Sequence, residues 1–329
     1  MVIPPAIAAL PRFGLVDAPS PLAPLRRFSA LLGGGEVWIK REDLLPLAFG
    51  GNKLRNLEFL VGAALAEGAD TLVTSGRRWS NHCRLTAAAG ARAGLTVHLV
   101  LTGPPSTTGA EGANQRLDEL LGATVHVTAT DARAERAALV ETVAAGVRAA
   151  GGRPFVVGVG GTGPVGAAGQ VLAGLELADQ LADAGVGAAT VVLPSATGGT
   201  QAGLLAGLAL AAPPPCDVLG ITVAAPAAEL RPTIDAILAG LEPLAGGRVP
   251  ASAVLLEDDQ LGAGYGCPTQ AADEAARLLA RTEGILVDPI YTAKALAGLV
   301  ARVRDGRLSG PVVFWHAGGT PGIFEVLPR

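Results

Sequence analysis

Apolar runs alternate with glycine-rich, proline-rich or polar breaks along most of the chain. In the first half this pattern predicts strands over residues 36–40, 71–75, 97–101, 124–128 and 154–158. It predicts helices over residues 57–67, 81–93, 114–121 and 133–149. In the second half strands are predicted over residues 190–194, 217–223, 253–257, 285–287 and 311–316, with helices in the gaps. Residues 1–35 are rich in proline, and we expect them to form an extended lead-in.

Several predicted strands are continuous apolar runs, such as TVVLP and PVVFW. Strands of this kind are buried on both faces, as in parallel sheets that helices cover. We therefore expect an α/β fold with parallel sheets. Ligands of open α/β sheets bind at the carboxyl ends of the strands, so the loops that follow strands are where a site is expected.

Composition excludes several classes of protein. The chain has 329 residues, of which 50% are hydrophobic and 16% charged, which argues against disorder. The net charge is −4 and no basic stripe is present, so nucleic acid is not an expected partner. No apolar run reaches the length of a membrane span, and the first residues lack the basic region of a signal peptide. We expect no membrane association.

The three cysteines indicate the cellular compartment and argue against a metal site. Cys83, Cys216 and Cys267 include no close pair, which fits neither a disulfide framework nor a zinc site. We expect no metal, and the cytoplasm is the natural compartment for such a chain.

The stretch Gly50-Gly51-Asn52-Lys53 places a lysine after a flexible turn and before an apolar helical run. Glycine allows backbone conformations closed to other residues and lets a ligand approach the backbone. A lysine near a helix N-terminus meets an unfavourable dipole, and burial would lower its pKa and make the amine nucleophilic. Such a lysine can form a Schiff base. The alternative is a surface lysine after a loop.

Two strand-to-helix loops carry further candidates. Trp79-Ser80-Asn81-His82 opens a helix, where Ser80 or Asn81 could serve only as the N-cap. Residues 194–203, PSATGGTQAG, place glycines and hydroxyls at a helix N-terminus, which forms an anion cradle. The loop lacks the Gly-Lys-Ser/Thr of a nucleoside triphosphatase, so a single phosphate monoester suits it better.

Other motifs are weaker when taken alone. Residues 158–166 match G-x-G-x-x-G in two registers, but the next strand lacks the terminal acidic residue of a dinucleotide site. The only two tyrosines, Tyr265 and Tyr291, lie in Gly/Pro-rich loops. His316 and Thr320 follow the strand PVVFW, where the histidine could be a core residue and the threonine a helix cap.

Taken in order, the motifs KREDL, GGNKLR, SNH, TGGTQAG, GYGCPT, DPIYTAK and HAGGTPG resemble the D-cysteine desulfhydrase and 1-aminocyclopropane-1-carboxylate (ACC) deaminase family. The resemblance extends from Lys40 to Phe324. These are pyridoxal 5′-phosphate (PLP) enzymes with the tryptophan synthase β-subunit fold, called fold type II. The resemblance implies two three-layer α/β domains with parallel sheets and a homodimer. We expect residues 1–50 and 164–329 to form a large domain, with residues 51–163 inserted as a small one.

The resemblance also implies roles for individual residues. Lys53 would form the Schiff base with PLP and serve as the base for the α-proton. Asn81 would hydrogen-bond the phenolic oxygen of the cofactor, and Thr320 would face its pyridine nitrogen. The phosphate would be held by Thr197, Gly198, Gly199 and Thr200.

The substrate would be a small amino acid, flanked by Tyr265 and Tyr291, with Ser80 near its carboxylate or Lys53. The residues expected to bind it are Trp79, Ser80, Asn81 and His82. The family usually has glutamine at position 79, so the tryptophan could narrow or reshape the pocket. Asn56 stands where a second lysine is common, and Gln170 where a tyrosine is common.

Two positions distinguish the activities within this family. ACC deaminases carry Gln and Glu where this chain has His82 and Thr292. A carboxylate near the pyridine ring favours a strongly electron-withdrawing cofactor, and a hydroxyl does not. We therefore expect α,β-elimination on a cysteine-like, D-configured amino acid, giving pyruvate, ammonia and sulfide. The alternatives are an ACC deaminase, a biosynthetic lyase for another β-substituted amino acid, a non-catalytic PLP-binding protein and a nicotinamide oxidoreductase.

Overall fold

Ten strands form two sheets in the computed structural model, which describes residues 2–33, 35–103, 112–130, 132–211, 216–247, 249–250 and 253–325. The strands are β1 (Leu22–Pro24), β2 (Val37–Arg41), β3 (Thr71–Arg77), β4 (Thr96–Thr102), β5 (Thr124–Thr128), β6 (Pro154–Val156), β7 (Thr190–Ser195), β8 (Asp217–Thr222), β9 (Val254–Glu257) and β10 (Val312–His316).

Both sheets are built from parallel strands, apart from one edge. The six-stranded sheet has the order β1-β2-β10-β7-β8-β9, and only β1 runs antiparallel to its neighbour. The four-stranded sheet has the order β5-β4-β3-β6 and is parallel throughout. The predicted α/β class with parallel sheets is confirmed.

Helices cover both faces of each sheet. They are α1 (Pro5–Ala8), α2 (Arg26–Leu32), α3 (Lys53–Ala66), α4 (Asn81–Ala93), α5 (Ala113–Leu120), α6 (Arg133–Ala149), α7 (Pro164–Asp183), α8 (Gly199–Leu210), α9 (Ala227–Ala245), α10 (Gln270–Glu283) and α11 (Thr292–Arg304). Helices α7, α8 and α9 share a hydrophobic core on one face of the large sheet, and α2, α10 and α11 share one on the other. The small sheet lies between α3 and α4 on one face and α6 on the other. Each sheet is therefore the middle of three layers.

Helix α7 is held close to its neighbours by glycine. A Cβ at Gly169 would lie 1.9 Å from the carbonyl oxygen of Arg55 on α3. A Cβ at Gly207 of α8 would lie 2.2 Å from the carbonyl oxygen of Val171 on α7. These backbones approach so closely that no larger residue fits without moving a helix.

Three predicted elements differ from the structure. The lead-in contains the helix α2, whose Phe28 and Leu32 are one turn apart and buried where no proline interrupts the chain. Helix α3 begins at Lys53, four residues before the predicted start at 57. Residues 285–287 form no strand. The carbonyl oxygen of Leu286 accepts a hydrogen bond from the side chain of His316, Nε2, at 2.8 Å, where a strand would accept one from the backbone of a neighbouring strand.

The strands of the small sheet all come from one continuous part of the sequence, residues 71–156. Those of the large sheet come from residues 22–41 and from 190 onward. The division into residues 1–50 with 164–329 and residues 51–163 stays a prediction. Within the described part of the chain, no helix combines the length and the apolar character needed to cross a membrane.

A buried cluster of charges joins α3 to the large sheet and to α7. Arg55 donates to both carboxylate oxygens of Glu42, at 2.7 and 2.8 Å, and to Glu176 at 2.9 Å. Lys40 also pairs with Glu176 and donates to the carbonyl oxygen of Ser20 at 2.7 Å. Burial opposes ionisation of Glu176, but the two cations outweigh it and lower its pKa.

We expect Arg55→Met to reduce the free energy of unfolding by about 3–5 kcal/mol, because Glu42 would remain buried without its cation. Urea unfolding followed by tryptophan fluorescence measures this loss. The matched control is Arg148→Met, which breaks a pair with Glu141 whose side chains are 51% and 64% exposed. That change should cost at most about 1 kcal/mol. Equal losses in the two variants would contradict the prediction.

Candidate active site

Lys53 is the first residue of α3, and its side chain points into a cavity. The sequence contains three lysines, Lys40, Lys53 and Lys294. Lys40 is bound within the charge cluster, and Lys294 donates to the carbonyl oxygens of Leu261 and Gly264 at 2.8 and 3.1 Å. Burial lowers the pKa of Lys53 to about 8, so a substantial fraction of its amine is neutral near physiological pH.

The turn before Lys53 is fixed by contacts with distant parts of the chain. The backbone N–H of Asn52 donates to the carbonyl oxygen of Ala317 at 3.0 Å, and its Nδ2 donates to Oγ1 of Thr200 at 2.9 Å. A Cβ at Gly318 would lie 2.5 Å from the Cα of Gly51. The GGN and AGG segments therefore pack backbone against backbone, which explains their glycines.

The predicted phosphate loop lies on the same cavity. Gly198 ends the loop with φ +80 and directly precedes α8, whose first residues are Gly199 and Thr200. A Cβ at Gly198 would lie 2.6 Å from Cγ1 of Ile234, so packing against α9 leaves no room for a side chain at this position. The nearby Oγ of Ser195 is buried and has no hydrogen-bond partner among the described residues. Free N–H groups at a helix N-terminus with neighbouring hydroxyls suit an anion.

The glycine cluster of residues 158–166 belongs to this cavity as well. Val159 and Gly160 line it, and a Cβ at Gly160 would lie 2.7 Å from Oγ1 of Thr197. The cluster therefore forms a wall beside the phosphate loop, although its sequence suggested only a weak dinucleotide motif.

Ser80 and His82 have clear structural partners. Ser80 is the N-cap of α4, and its Oγ accepts from the N–H of Cys83 at 3.2 Å. The Oγ1 of Thr74 donates to the carbonyl oxygen of Val157 at 2.8 Å, so it accepts from Nε2 of His82 at 3.0 Å. Burial, and then the nearby Lys53, lower the pKa of His82 to about 3. The histidine is therefore neutral, with the proton on Nε2.

The two tyrosines meet at the cavity. Their hydroxyl groups share a hydrogen bond, and their ring centroids are 5.9 Å apart. Burial raises the pKa of Tyr265 and raises that of Tyr291 well above its usual value. Both hydroxyls are therefore protonated at neutral pH and one can donate to a ligand.

Trp79 lies behind Tyr265. The two rings meet edge-on, with centroids 5.9 Å apart and an angle of 74°. The guanidinium of Arg77 lies 5.8 Å from the Trp79 ring and 5.7 Å from the Tyr265 ring. A Cβ at Gly266 would lie 2.5 Å from the indole, so the tryptophan fits only beside a glycine. Trp79 supports the wall formed by Tyr265.

Thr292 is held by the buried carboxylate of Asp288, which was not among the predicted site residues. The Oγ1 of Thr292 donates to Asp288 at 2.5 Å, and Asp288 also accepts backbone N–H groups of Ile290, Tyr291 and Thr292. Burial raises the pKa of Asp288 against these hydrogen bonds. The hydroxyl proton of Thr292 is directed at this carboxylate, and Thr292 lines the cavity.

Gln170 and Asn56, which both depart from the family pattern, contact each other in the structure. Nε2 of Gln170 donates to Oδ1 of Asn56 at 2.6 Å and to the carbonyl oxygen of Asn52 at 2.8 Å. Asn56 in turn donates to the carbonyl oxygen of Gly161 at 3.2 Å. The pair links the turn before Lys53 to the glycine cluster.

Nine of the twelve predicted site residues line the cavity: Lys53, Ser80, Asn81, His82, Thr197, Gly198, Thr200, Tyr265 and Tyr291. Gly199, Trp79 and Thr320 are not among its lining residues. Gly199 begins α8, and Thr320 begins a 3-10 turn that ends at Phe324. The cavity is also lined by Asn52, Gly160, Ser195 and Gln201, which were not predicted as site residues. Each lies within or next to one of the sequence motifs named above. The sequence therefore indicated its neighbourhood but not whether its side chain or backbone faces the cavity.

The site suits PLP on structural grounds. It combines a lysine of lowered pKa, a helix N-terminus with no room for a side chain at Gly198, and the buried hydroxyl of Ser195, which none of the described residues binds. With the two three-layer α/β units, these features define a PLP-dependent enzyme of the tryptophan synthase β-subunit fold. No group of three or more histidine, cysteine, aspartate or glutamate residues within the described ranges could hold a metal ion.

The chain belongs to the family described as pyridoxal-phosphate dependent enzymes, whose profile matches residues 15–318. It is 41% identical over 331 aligned positions to D-cysteine desulfhydrases of Salmonella choleraesuis (strain SC-B67) and Salmonella newport (strain SL254), covering 98% of this chain and 98% of each relative.

Solved structures agree on the fold. The crystal structure of an ACC deaminase homologue matches with a TM-score of 0.87 and 32% identity, over 97% of this chain and 95% of that one. The processed form of threonine deaminase isoform 2 from Solanum lycopersicum matches with a TM-score of 0.64 and 20% identity, over 95% of this chain and 82% of that one, which supports the fold alone. The predicted family, fold and cofactor are confirmed.

We expect Lys53→Ala to abolish covalent attachment of PLP, because Lys53 is the one lysine of the three whose side chain lines the cavity. Borohydride reduction followed by mass spectrometry measures the attachment. Lys294→Met is the matched control, since it removes a lysine outside the cavity, and it should retain the label. A labelled Lys53→Ala protein would refute the assignment.

The pH dependence of attachment tests the lowered pKa of Lys53. The neutral amine is the nucleophile, so the rate at which PLP binds covalently to apoprotein should rise with pH through about 8. Stopped-flow absorbance measures this rate. A rate that continues to rise up to about pH 10.4, the usual pKa of a lysine, would contradict the prediction.

Proposed function

We propose that the protein is a PLP-dependent lyase that catalyses α,β-elimination on a cysteine-like amino acid, with the D enantiomer as substrate. The products are pyruvate, ammonia and sulfide. The observation that carries the proposal is the cavity that brings Lys53, the α8 N-terminus and the tyrosine pair together. The 41% identity to D-cysteine desulfhydrases over nearly the whole chain supports the choice of substrate.

Lys53 and the phosphate loop would hold the cofactor. Lys53 would bind it covalently, while Gly199 and Thr200 would offer backbone N–H groups to its phosphate at the start of α8. Asn81 would donate to the phenolic oxygen of the cofactor. Thr197 lies beside Gly160, which closes the loop from the other side.

When bound, PLP withdraws electrons from the Cα of an attached amino acid and makes the Cα proton acidic. Lys53, once released, would accept that proton at Nζ, since its lowered pKa suits a base near neutral pH. The protonated hydroxyls of Tyr265 and Tyr291 lie in the same cavity, where one can donate to the sulfur that leaves Cβ. The Cα–H and Cβ–S bonds break, and water then releases ammonia and leaves pyruvate.

The environment of Thr292 favours a substrate with a good leaving group. Its hydroxyl proton is directed at Asp288, so Thr292 presents an acceptor oxygen and no ionised carboxylate of its own to the cavity. A weaker electron sink suffices for thiolate expulsion but not for opening a cyclopropane ring. ACC deamination remains the second candidate because of the 0.87 TM-score to an ACC deaminase homologue.

We expect kcat/KM for D-cysteine and β-chloro-D-alanine to exceed that for ACC by about 100-fold or more, which is a difference of about 2.7 kcal/mol between transition states. Pyruvate release by the purified enzyme measures all three, with L-cysteine as the stereochemical control. Equal turnover of ACC would refute the elimination proposal. Inactivity on all four would instead point to another β-substituted substrate.

We also propose a cytoplasmic homodimer whose cofactor lies between two domains, the smaller formed by residues 51–163. The described cysteines are free, which suits a reducing compartment. The dimer and the domain division rest on the family resemblance. Light scattering that gives a monomer at working concentration would count against the dimer.

A further inference from the structure

Arg84 is a buried arginine of α4 to which the reaction proposed above gives no role. Its side chain has no exposure to solvent. It follows Asn81 by three residues on the same helix, so both side chains lie on one face. A buried guanidinium is stable only when its N–H groups are hydrogen-bonded, because their desolvation is unfavourable. The acceptors of Arg84 therefore identify the groups that it holds in place.

The donors of Arg84 divide between a turn and two amides. Nε donates to the carbonyl oxygen of Ala48 at 3.0 Å, and Nη2 donates to that of Gly50 at 3.0 Å. Nη1 donates to Oδ1 of Asn81 at 2.8 Å and to Oδ1 of Asn114. No carboxylate among the described residues lies at hydrogen-bond distance; Asp118, Asp288 and Glu325 act on it only through their charge.

The turn gives the guanidinium a rigid support. Ala48 and Phe49 have φ values of +44 and +66, which non-glycine residues rarely adopt, and Gly50 follows with +65. Two of the carbonyl oxygens of this turn are bound by Arg84. Because the fork of an arginine is planar, fixing Nε and Nη2 also fixes the direction of Nη1.

We propose that Arg84 is a positioning residue that sets the orientation of the Asn81 amide toward the cofactor. This rests on the role proposed above for Asn81. With Oδ1 bound by Arg84, and by Nδ2 of Asn114 at 3.4 Å, the N–H groups of Asn81 Nδ2 remain for the cavity. The cation behind the amide also polarises it, so Nδ2 becomes a stronger donor to the phenolic oxygen of PLP.

Arginine suits this task better than lysine. A lysine at position 84 would keep the charge but could not bind Ala48, Gly50 and Asn81 in one plane. Arg84→Lys should therefore have an intermediate effect, and Arg84→Met should have the full one. Asp118 is a second buried titratable group in this region: burial raises its pKa to about 8, and the charge of Arg84 opposes that rise.

A double-mutant cycle on PLP binding by apoprotein tests the proposal. We expect Arg84→Met to weaken PLP binding about tenfold in the wild-type background, in line with the loss of a charge-assisted hydrogen bond. It should have less than about a threefold effect in an Asn81→Ala background, because the two residues act as one unit. The maximum of the visible band should shift in the same direction in Arg84→Met as in Asn81→Ala.

The control is Arg92→Met, which removes an exposed arginine from the last turn of the same helix and should leave PLP binding and the spectrum unchanged. Thermal unfolding of each apoprotein reports the effect on folding separately. If Arg84→Met does not fold, the same cycle is measured with Arg84→Lys.

Equal weakening of PLP binding by Arg84→Met in both backgrounds would overturn the proposal, and so would binding within twofold of wild type. Wild-type apoprotein that binds no PLP would refute the proposed function itself, which distinguishes the two failures.

Discussion

The position of Lys53 depends on a neutral cluster of four charges, three of them buried and the fourth, on Glu176, 12% exposed. Lys40 and Arg55 supply two cations, and Glu42 and Glu176 supply two anions. In a medium of low dielectric constant, such charges are stable only when each one is paired at short range. Arg55 lies two residues after Lys53 on α3, so the cluster determines where the helix begins relative to the large sheet.

Four helices of the described part of the chain begin at the cavity, and this sets its electrostatic character. Lys53 starts α3, Ser80 caps α4, and Gly199 starts α8. Thr292 starts α11, where Asp288 already accepts the first N–H groups. Each N-terminus carries partial positive charge, which favours a phosphate and the carboxylate of an amino acid. The same field disfavours cations. Burial separately lowers the pKa of Lys53 and of His82. The cavity therefore favours an anionic cofactor, while its histidine is neutral and a substantial fraction of its lysine is neutral.

Local signals were sufficient to name many of the residues that line the cavity. Lys53, Thr197 and Thr200 lie in turns whose glycines have a direct steric reason, and these turns follow or precede regular elements of clear periodicity. The strands β7 and β10 were predictable because they are apolar on both faces. The fold class follows from the same pattern.

Contacts between distant residues could not be predicted in this way. Gln170 bonds Asn56 across 114 positions of sequence, and each residue alone is only a departure from a family pattern. Asp288 stands in a loop where its carboxylate gave no sign of binding Thr292. Residues 285–287 have the apolar character of a strand, but a backbone segment becomes a strand only if a neighbour is available to bond it.

The shortage of lysine has a chemical consequence for an enzyme that uses an aldehyde. Free PLP condenses with any accessible primary amine, and a lysine-rich surface would offer many competing sites. Here Lys40 and Lys294 are fully buried and engaged in hydrogen bonds, and the other cationic side chains are arginines, which do not form stable imines. Among the side chains, the cofactor therefore meets one reactive amine, and its selectivity comes from the composition of the whole chain as well as from the geometry of one pocket.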